Sequence, residues 1–203
     1  KSFELRNKTV NSNLIGTAQV IEFCKINNIE IIYSCTSAGF GNNFKDQNLS
    51  PYSYFKSVNL NLVMNYSDWF GLIYKVLYFY NVYGGKEIIK NEMKAVIGIY
   101  ETCKKKDLYL PVVKPGTQSR IFTHIDDVAE ACVKIITDKN YSHFIIRAKN
   151  SYKIIEIAKF FKHKYKYVPT RVGERYKSSF VNKVRNNKVK QILSSKDIKN
   201  YLK

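Results

Sequence analysis

The run IEIIYSCT, from Ile29 to Thr36, is short, mostly apolar and bounded by polar residues. This pattern is typical of a strand that is buried in a parallel sheet. A helix is predicted before it, because apolar residues recur at helical spacing from Asn11 until Asn27 and Asn28, which end helices readily. After the strand, SAGFGNN has the glycines and asparagines of a loop. The run therefore predicts a helix, a buried strand and a loop in succession.

The same alternation of helix and strand continues downstream. A second helix is predicted from Tyr52 to Trp69, and GLIYKVLYFYNVYGG (Gly71 to Gly85) predicts another buried strand that ends at a pair of glycines. Later elements are predicted to be helices at 92–105, 126–137 and 152–162 and a strand at 143–147. Strands separated by helices indicate an α/β fold with a doubly wound parallel sheet. The Lys-rich C-terminal tail is expected to be at most a solvated end.

The predicted sheet also locates a candidate site. In doubly wound sheets, ligands bind at the carboxyl ends of the strands. Here those ends carry Thr36 and the segment from Tyr80 to Gly84. The site is therefore expected at these positions before any family is considered.

The chain has 203 residues, of which 45% are hydrophobic, and a formal net charge of +18. That is enough apolar material for a core in one or two domains. The basic residues are mostly lysines spread along the chain, whereas nucleic-acid-binding proteins usually concentrate them on one face or tail. A nucleic-acid partner is therefore not favoured, although a basic module that binds nucleic acid or another anion stays open as an alternative.

Four cysteines are scattered along the chain without a Cys-x-x-Cys pair or a nearby histidine ladder. Neither a zinc site nor a disulfide framework is indicated, so no metal is expected and a reducing cytoplasm fits best. The sequence also lacks an apolar run long enough for a membrane span and an apolar signal segment at its first residues. A cytoplasmic protein that does not enter a membrane is expected.

One short motif offers acid/base chemistry. Tyr52 and Lys56 in SPYSYFKS are four residues apart, so a helix places the phenol and the ammonium on one face. With abundant tyrosine and lysine, the pattern Tyr-x-x-x-Lys arises by chance roughly twice in such a chain, and it recurs at Tyr100 and Lys104. The context of the first pair is distinctive, because its helix follows a strand that ends in the hydroxyl of Thr36. A threonine that bonds only to local backbone is the alternative for Thr36.

Six segments occur in the order found in one enzyme superfamily. They are NSNLIGTAQVIEF, YSCTSAGFG, SPYSYFKS, YFYNVYGG, PGTQSRIFTHIDDVAEA and RVGER. Together they resemble the extended branch of the short-chain dehydrogenase/reductase superfamily, which contains NAD-dependent nucleotide-sugar epimerases and dehydratases such as UDP-glucose 4-epimerase. The resemblance covers nearly the whole chain. It implies an incomplete Rossmann-like sheet with a small C-terminal substrate domain, NAD as cofactor, and a nucleotide-diphosphate sugar as substrate.

The resemblance also implies roles for single residues. Tyr52 would be the catalytic base, favoured as a phenolate by Lys56 and by a positively charged nicotinamide ring. Thr36 would hydrogen-bond to the sugar hydroxyl and relay its proton. The residues implied to contact the cofactor are Asn13, Tyr52, Lys56 and Tyr80. The residues implied to bind the substrate are Thr36, Asn81, Arg120 and Arg171, the arginines because a planar guanidinium suits a diphosphate.

Several of these assignments have a structural alternative. Tyr80 and Asn81 could simply end a buried strand, and either arginine could lie on the surface without a ligand. Asp126 and Asp127 are expected to cap a helix, where carboxylates interact favourably with the helix dipole.

The glycine-rich turn that receives the NAD pyrophosphate in this family does not occur in these residues, nor does the acidic residue that contacts the ribose. The expectation is a fragment that lacks the first part of its cofactor domain and is inactive alone. Residues 1–85 and 120–150 are assigned to the C-terminal portion of the cofactor domain, and 86–119 and 151–203 to the substrate domain. Relatives commonly dimerise, which implies a homodimer through helices at 13–24 and 52–69.

Epimerisation is preferred over dehydration as the reaction. Many dehydratases place an acidic pair directly after the catalytic hydroxyl residue, whereas Ser37 and Ala38 follow Thr36 here. A dehydratase of the same family and a degenerate interaction protein that has lost its cofactor remain alternatives beside the basic binding module. The sequence does not identify the sugar or the nucleotide.

Overall fold

The computed structural model describes residues 2–40, 49–85, 95–176 and 183–202. The helices are α1 (Arg6–Val10), α2 (Gly16–Ile26), α3 (Pro51–Phe70), α4 (Val96–Lys105), α5 (Ile125–Ile136), α6 (Ile154–Phe160) and α7 (Ile198–Tyr201). The strands are β1 (Ile31–Thr36), β2 (Tyr74–Phe79), β3 (Asn81–Tyr83), β4 (Leu110–Val113), β5 (Ser119–His124), β6 (His143–Arg147), β7 (Ser151–Lys153), β8 (Tyr165–Val168), β9 (Lys183–Val184) and β10 (Asn187–Leu193). The predicted α/β class is confirmed. Among the described helices, none is long and apolar enough to cross a membrane.

The chain forms two compact units. The first comprises Lys1–Phe79, Thr137–Ile145 and Ser179–Gln191. The second comprises Tyr80–Ile136, Ile146–Ser178 and Ile192–Lys203. The assignment of a cofactor domain and a substrate domain to particular residues remains a prediction.

The first unit is built on a five-stranded sheet in the order β1-β2-β6-β10-β9. β1 and β2 are parallel and pair from Ile31 opposite Tyr74 to Thr36 opposite Phe79. α3 connects them, as parallel neighbours require a crossover. It ends at Gly71, which has the left-handed backbone (φ 69°) that glycine adopts without strain. The strand predicted at Ile29–Thr36 is therefore present, and its carboxyl end carries Thr36.

The first helical segment is longer than predicted. α1 and α2 are joined by one π-helical turn, Asn11–Ile15, so that the helix predicted from Asn11 begins at Arg6. Its end is as predicted, because the Asn27 amide donates to the Phe23 carbonyl at 2.8 Å and Asn28 has a positive φ. Beyond β1, the predicted loop begins as a 3₁₀ turn at Ser37–Phe40. Its remaining residues lie outside those described.

The single strand predicted at Gly71–Gly85 is wrong. The segment forms two strands, with β2 in the first unit and β3 in the second, where Asn81 pairs in parallel with Phe122 of β5. Tyr80 belongs to neither strand. The glycine pair still follows the end of the second strand. Glycine is needed at position 84, because a side chain there would overlap Ile125.

The second unit contains a three-stranded sheet, β3-β5-β7, and a two-stranded sheet, β4-β8. α4 and α6 pack against β4. The core is formed by apolar side chains from both helices and both sheets, together with Ile198 of α7: Tyr83, Ile97, Tyr100, Leu110, Val112, Phe122, Ile154, Ile157, Ala158, Phe161 and Ile198. Of the helix predicted at 92–105, residues 92–94 lie outside the described part of the chain.

In the C-terminal third, one predicted helix is present with a later start, and the prediction for the tail is wrong. The helix predicted at 152–162 begins only at Ile154, because the preceding Ser151–Lys153 pairs with β5 in antiparallel fashion. The Lys-rich tail is not merely a solvated end, since it supplies β10 and α7. Asp127, expected to cap a helix, accepts hydrogen bonds from Ser195 at 3.0 Å and from the Lys196 backbone N–H at 3.1 Å, which attaches this tail to α5.

Candidate active site

Thr36 and Tyr52 meet at the carboxyl end of β1. Thr36 is the last residue of the strand and Tyr52 is the second residue of α3, and the Thr36 hydroxyl is near enough to lower the pKa of the Tyr52 phenol. The Thr36 hydroxyl also accepts a hydrogen bond from the Ala38 backbone N–H at 3.1 Å, so it bonds local backbone as well. Tyr52 keeps 40% of its surface exposed. The predicted pair of hydroxyls is therefore adjacent, and the phenol is accessible to a ligand.

The start of α3 fixes the position of Tyr52. Ser50 has an extended backbone, and its hydroxyl accepts from the Ser53 backbone N–H at 3.2 Å. The Ser53 hydroxyl contacts the Ser50 N–H in return, at 3.1 Å. Pro51 occupies the first helical position, where its missing N–H costs no hydrogen bond. This reciprocal cap places Tyr52 in a rigid first turn.

Lys56 is held against β1. Its ammonium donates to the Ser34 carbonyl at 2.9 Å and lies 5.0 Å from the centroid of the Tyr33 ring. The Tyr33 hydroxyl in turn donates to the Lys56 carbonyl at 3.2 Å. These contacts keep the ammonium on the strand side of α3, one helical turn after Tyr52.

Burial has the largest effect on the pKa values of Tyr52, Lys56 and Cys35. It raises the pKa of Tyr52 above its usual value, and the neighbouring Thr36 hydroxyl lowers that pKa by a smaller amount. It lowers the pKa of Lys56 and raises that of the neighbouring Cys35 thiol to about 12, so the thiol is neutral at pH 7. A less polar environment disfavours every charged form, which explains all three directions. The Lys56 ammonium therefore does not by itself make this phenol acidic.

Asn13 lies in the π-helical turn of the first unit. Its side-chain amide donates to the Thr9 carbonyl at 3.3 Å, and its backbone carbonyl accepts from the amide of Asn59 on α3. These bonds join the first helical segment to the helix that carries Tyr52. π-helical turns are frequent at functional sites, but the cofactor contact assigned to Asn13 remains a prediction.

The second unit contains a pocket of about 260 Å³. Three of the predicted substrate-binding residues line it, namely Asn81, Arg120 and Arg171. Its other polar lining residues include Gln118 and Glu174. The volume is close to the lower limit of small-molecule sites, roughly 300 Å³. The structure thus brings together residues that lie 90 positions apart in the sequence, from 81 to 171.

Sequence reasoning missed two polar residues of this pocket. Gln118 is 1% exposed; its amide donates to the Val113 carbonyl at 3.0 Å, while its buried Oε1 has no hydrogen-bond partner in the described part of the chain. Glu174 forms an ion pair with Arg120 at 2.8 Å. Both residues lie in the segments quoted for Arg120 and Arg171, PGTQSR and RVGER, so adjacency to the arginines was the available signal.

Tyr80 also belongs to the second unit. It is 5% exposed, and burial raises the pKa of its phenol. Its contact with a cofactor remains a prediction. In the described ranges no cluster of three or more His, Cys, Asp or Glu side chains could hold a metal ion.

Comparisons with known proteins agree with the resemblance. Residues 1–146 match the model of the NAD dependent epimerase/dehydratase family. A putative UDP-glucose 4-epimerase of Methanocaldococcus jannaschii is 30% identical over 138 residues, which cover 63% of this chain and 45% of that protein. The chain thus spans less than half the length of that curated relative.

Two solved structures share the fold. UDP-glucose 4-epimerase with UDP-glucose from Thermotoga maritima has a TM-score of 0.78 and 22% identity, and covers 87% of this chain and 62% of that one. A dTDP-glucose 4,6-dehydratase from Streptomyces venezuelae, with NAD and TYD bound, has a TM-score of 0.77 and 16% identity, and covers 89% of this chain and 60% of that one. The predicted Rossmann-like fold class is confirmed by these likenesses.

Proposed function

The chain belongs to the NAD dependent epimerase/dehydratase family, and we propose that it serves the NAD-dependent epimerisation of a nucleotide sugar through a transient keto sugar. The observation that carries the proposal is the juxtaposition of Thr36 at the end of β1 with Tyr52 at the start of α3, with Lys56 one turn further along that helix. UDP-glucose 4-epimerase is named in the curated relative, which favours epimerisation over dehydration.

The chemistry of this chain centres on one proton. Thr36 binds the sugar hydroxyl and orients it, and the Tyr52 phenolate takes the proton of that hydroxyl as the carbon is oxidised to a ketone. A bound NAD would supply the acceptor for the hydride of this carbon and the source from which hydride returns to the opposite face of the ring. Tyr52 then gives the proton back, so the sugar leaves with one inverted centre and no net oxidation.

The residues present suit an NAD cofactor beside Tyr52. The exposed phenol and the half-buried ammonium of Lys56 lie on neighbouring turns of α3, where they offer hydrogen bonds to hydroxyl groups. Because burial raises the pKa of Tyr52, the phenol needs positive charge nearby to ionise near neutral pH. We assign part of that charge to Lys56, one helical turn further along α3.

We assign the nucleotide diphosphate to the pocket of the second unit. Arg120 and Arg171 supply guanidinium groups, which suit phosphate oxygens. Asn81 donates to the Ile121 carbonyl at 3.0 Å, which fixes its amide at the pocket wall. The buried Gln118 Oε1 offers an acceptor for a hydroxyl or N–H of the nucleotide.

A homodimer is part of the same proposal. Apolar side chains on helices of the first unit are exposed, among them Val20 (52%), Phe23 (58%) and Trp69 (61%). Exposed apolar groups of this kind are common at protein interfaces. Light scattering that gives a monomer mass at micromolar concentration would contradict the dimer.

We also place the protein in the cytoplasm, where its free cysteines would stay reduced.

The proposed reaction is tested by product analysis. The protein as its gene encodes it is incubated with NAD and, separately, UDP-glucose, UDP-glucuronic acid and UDP-N-acetylglucosamine, the UDP-sugars of related structures. An epimerase gives a product of unchanged mass that separates from the substrate by chromatography. A product lighter by one water molecule would identify a dehydratase, and unchanged substrate in every case would contradict both reactions.

A further inference from the structure

The pocket of the second unit already contains a negatively charged side chain, that of Glu174. The Glu174 carboxylate lies 2.8 Å from the Arg120 guanidinium, and the two side chains are only 17% and 16% exposed. Arg171 lines the same pocket and is exposed. Two positive groups and one negative group therefore face the same space. At such low exposure the ion pair is screened weakly by water, so the carboxylate offsets much of the Arg120 charge.

The hydrogen bonds of Arg120 show which positions the carboxylate occupies. One terminal nitrogen donates to the Ser119 carbonyl at 2.9 Å. The other donates both to Glu174 and to the Arg175 carbonyl. A guanidinium grips a phosphate best through two parallel N–H groups. Glu174 takes one of the positions that such a grip needs.

Glu174 and Arg171 lie on the same turn. The Glu174 backbone N–H donates to the Arg171 carbonyl at 3.2 Å, and Gly173 has the positive φ (75°) that this turn requires. An anion that approaches Arg171 therefore meets the carboxylate only three residues away in sequence. The turn presents an attractive and a repulsive charge to the same ligand.

We propose that Glu174 competes with the diphosphate of the substrate for Arg120 and thereby weakens the pocket for every phosphate ligand. This inference rests on the proposed binding of a nucleotide diphosphate by the pocket. A ligand must displace the carboxylate before Arg120 can bind it, and breaking a poorly hydrated ion pair is costly. Free phosphate and pyrophosphate cannot offset that cost with other contacts, whereas a nucleotide can. With Glu174 in place, only a ligand with further contacts, such as a nucleotide, retains useful affinity.

The test compares Glu174→Gln with the unchanged chain by isothermal titration calorimetry. Glutamine keeps the size of the side chain and removes its charge. We expect UDP and inorganic pyrophosphate to bind about tenfold more tightly, because the competing charge is gone. Uridine, which has no phosphate, should bind with unchanged affinity. The affinity for UDP should also fall more steeply with added salt, since the pocket gains one net positive charge.

Two further variants separate competition from a general charge effect. Glu130→Gln removes one negative charge from the exposed side of α5, outside the pocket, and should leave UDP affinity unchanged. In an Arg120→Gln background, Glu174→Gln should tighten UDP binding by much less than tenfold, because the competition for Arg120 is gone and only direct repulsion by the carboxylate is removed. Should Glu174→Gln fail to fold, Glu174→Asp, whose shorter side chain withdraws the carboxylate, should give a smaller gain in the same direction.

The outcomes are distinct. If the unchanged chain binds UDP and Glu174→Gln binds it equally or more weakly, the carboxylate orients Arg120 instead of competing, and the inference is overturned while the proposed function stands. If neither chain binds UDP, the assignment of the pocket to a nucleotide diphosphate fails together with the inference. Binding of UDP by the variant alone would support both.

Discussion

The pairs Tyr52–Lys56 and Tyr100–Lys104 have the same spacing, and each lies on a helix of a different unit. Tyr100 is fully buried, donates to the Pro111 carbonyl at 3.2 Å and packs edge-on against Phe161 at 5.5 Å. Lys104 donates to the Phe161 carbonyl at 3.1 Å. In the second pair, the phenol thus lies in the core of the second unit, and the ammonium of the exposed Lys104 binds a backbone carbonyl.

The difference between the pairs arises from their places in the chain. Tyr52 lies in the first turn of α3, where the phenol contacts the hydroxyl of Thr36 and remains 40% exposed. Tyr100 lies in the middle of α4, on the face that packs onto β4. Spacing decides that two side chains share a helix face. The elements opposite that face decide whether the pair can do chemistry.

The largest expected effect is on kcat, which should depend on the hydroxyl of Tyr52 and not on that of Tyr100. Tyr52→Phe removes the proposed base and should lower kcat for UDP-sugar epimerisation about 10²- to 10⁴-fold, the range that general acid/base catalysis contributes. Tyr100→Phe is the matched control and should leave kcat within about twofold, because the variant keeps the ring that lines the pocket and the hydroxyl donates to the Pro111 backbone carbonyl, its one hydrogen-bond partner among the described residues. Initial rates at saturating substrate measure both. Full turnover by Tyr52→Phe would remove the mechanism.

A smaller effect separates the two lysines by pH dependence. Because burial raises the pKa of Tyr52, the fraction of phenolate and hence the rate should increase with pH. Lys56→Met removes the adjacent positive charge, so it should shift the pH-rate profile to higher pH and lower the rate at pH 7 about tenfold. Lys104→Met should leave the profile in place. Superimposable profiles for Lys56→Met and the unchanged protein would show that Lys56 does not act on the phenol.

Local sequence patterns were sufficient to predict the site around Tyr52 and Thr36. The strand at Ile31–Thr36 is evident from its bounded apolar run, and the start of α3 from Ser50 and Pro51, so the approach of Tyr52 to Thr36 could be predicted. The rise in the pKa of Tyr52 could not, because it depends on how deeply the packed chain covers the phenol.

Other features had no local signal. The apolar run around Tyr80 does not show that β2 and β3 join different sheets, because no glycine or proline separates the two strands. β10 was hidden by its lysines, which occupy exposed positions at Lys188 and Lys190 on either side of the buried Val189. The ion pair of Arg120 with Glu174 joins residues 54 positions apart, and only tertiary structure reveals it.

The smallest expected effect is on stability, which should depend more on the hydroxyl of Tyr100 than on that of Tyr52. Tyr100→Phe deprives the Pro111 carbonyl of its donor inside the core, which should lower the free energy of unfolding by about 1 kcal/mol. Tyr52→Phe, at a partly exposed position, should change it by less than about 0.5 kcal/mol. Urea denaturation followed by circular dichroism measures both variants under one set of conditions. Equal losses of stability would mean that Tyr52 is as structural as Tyr100, and the contrast between the pairs would then rest on turnover alone.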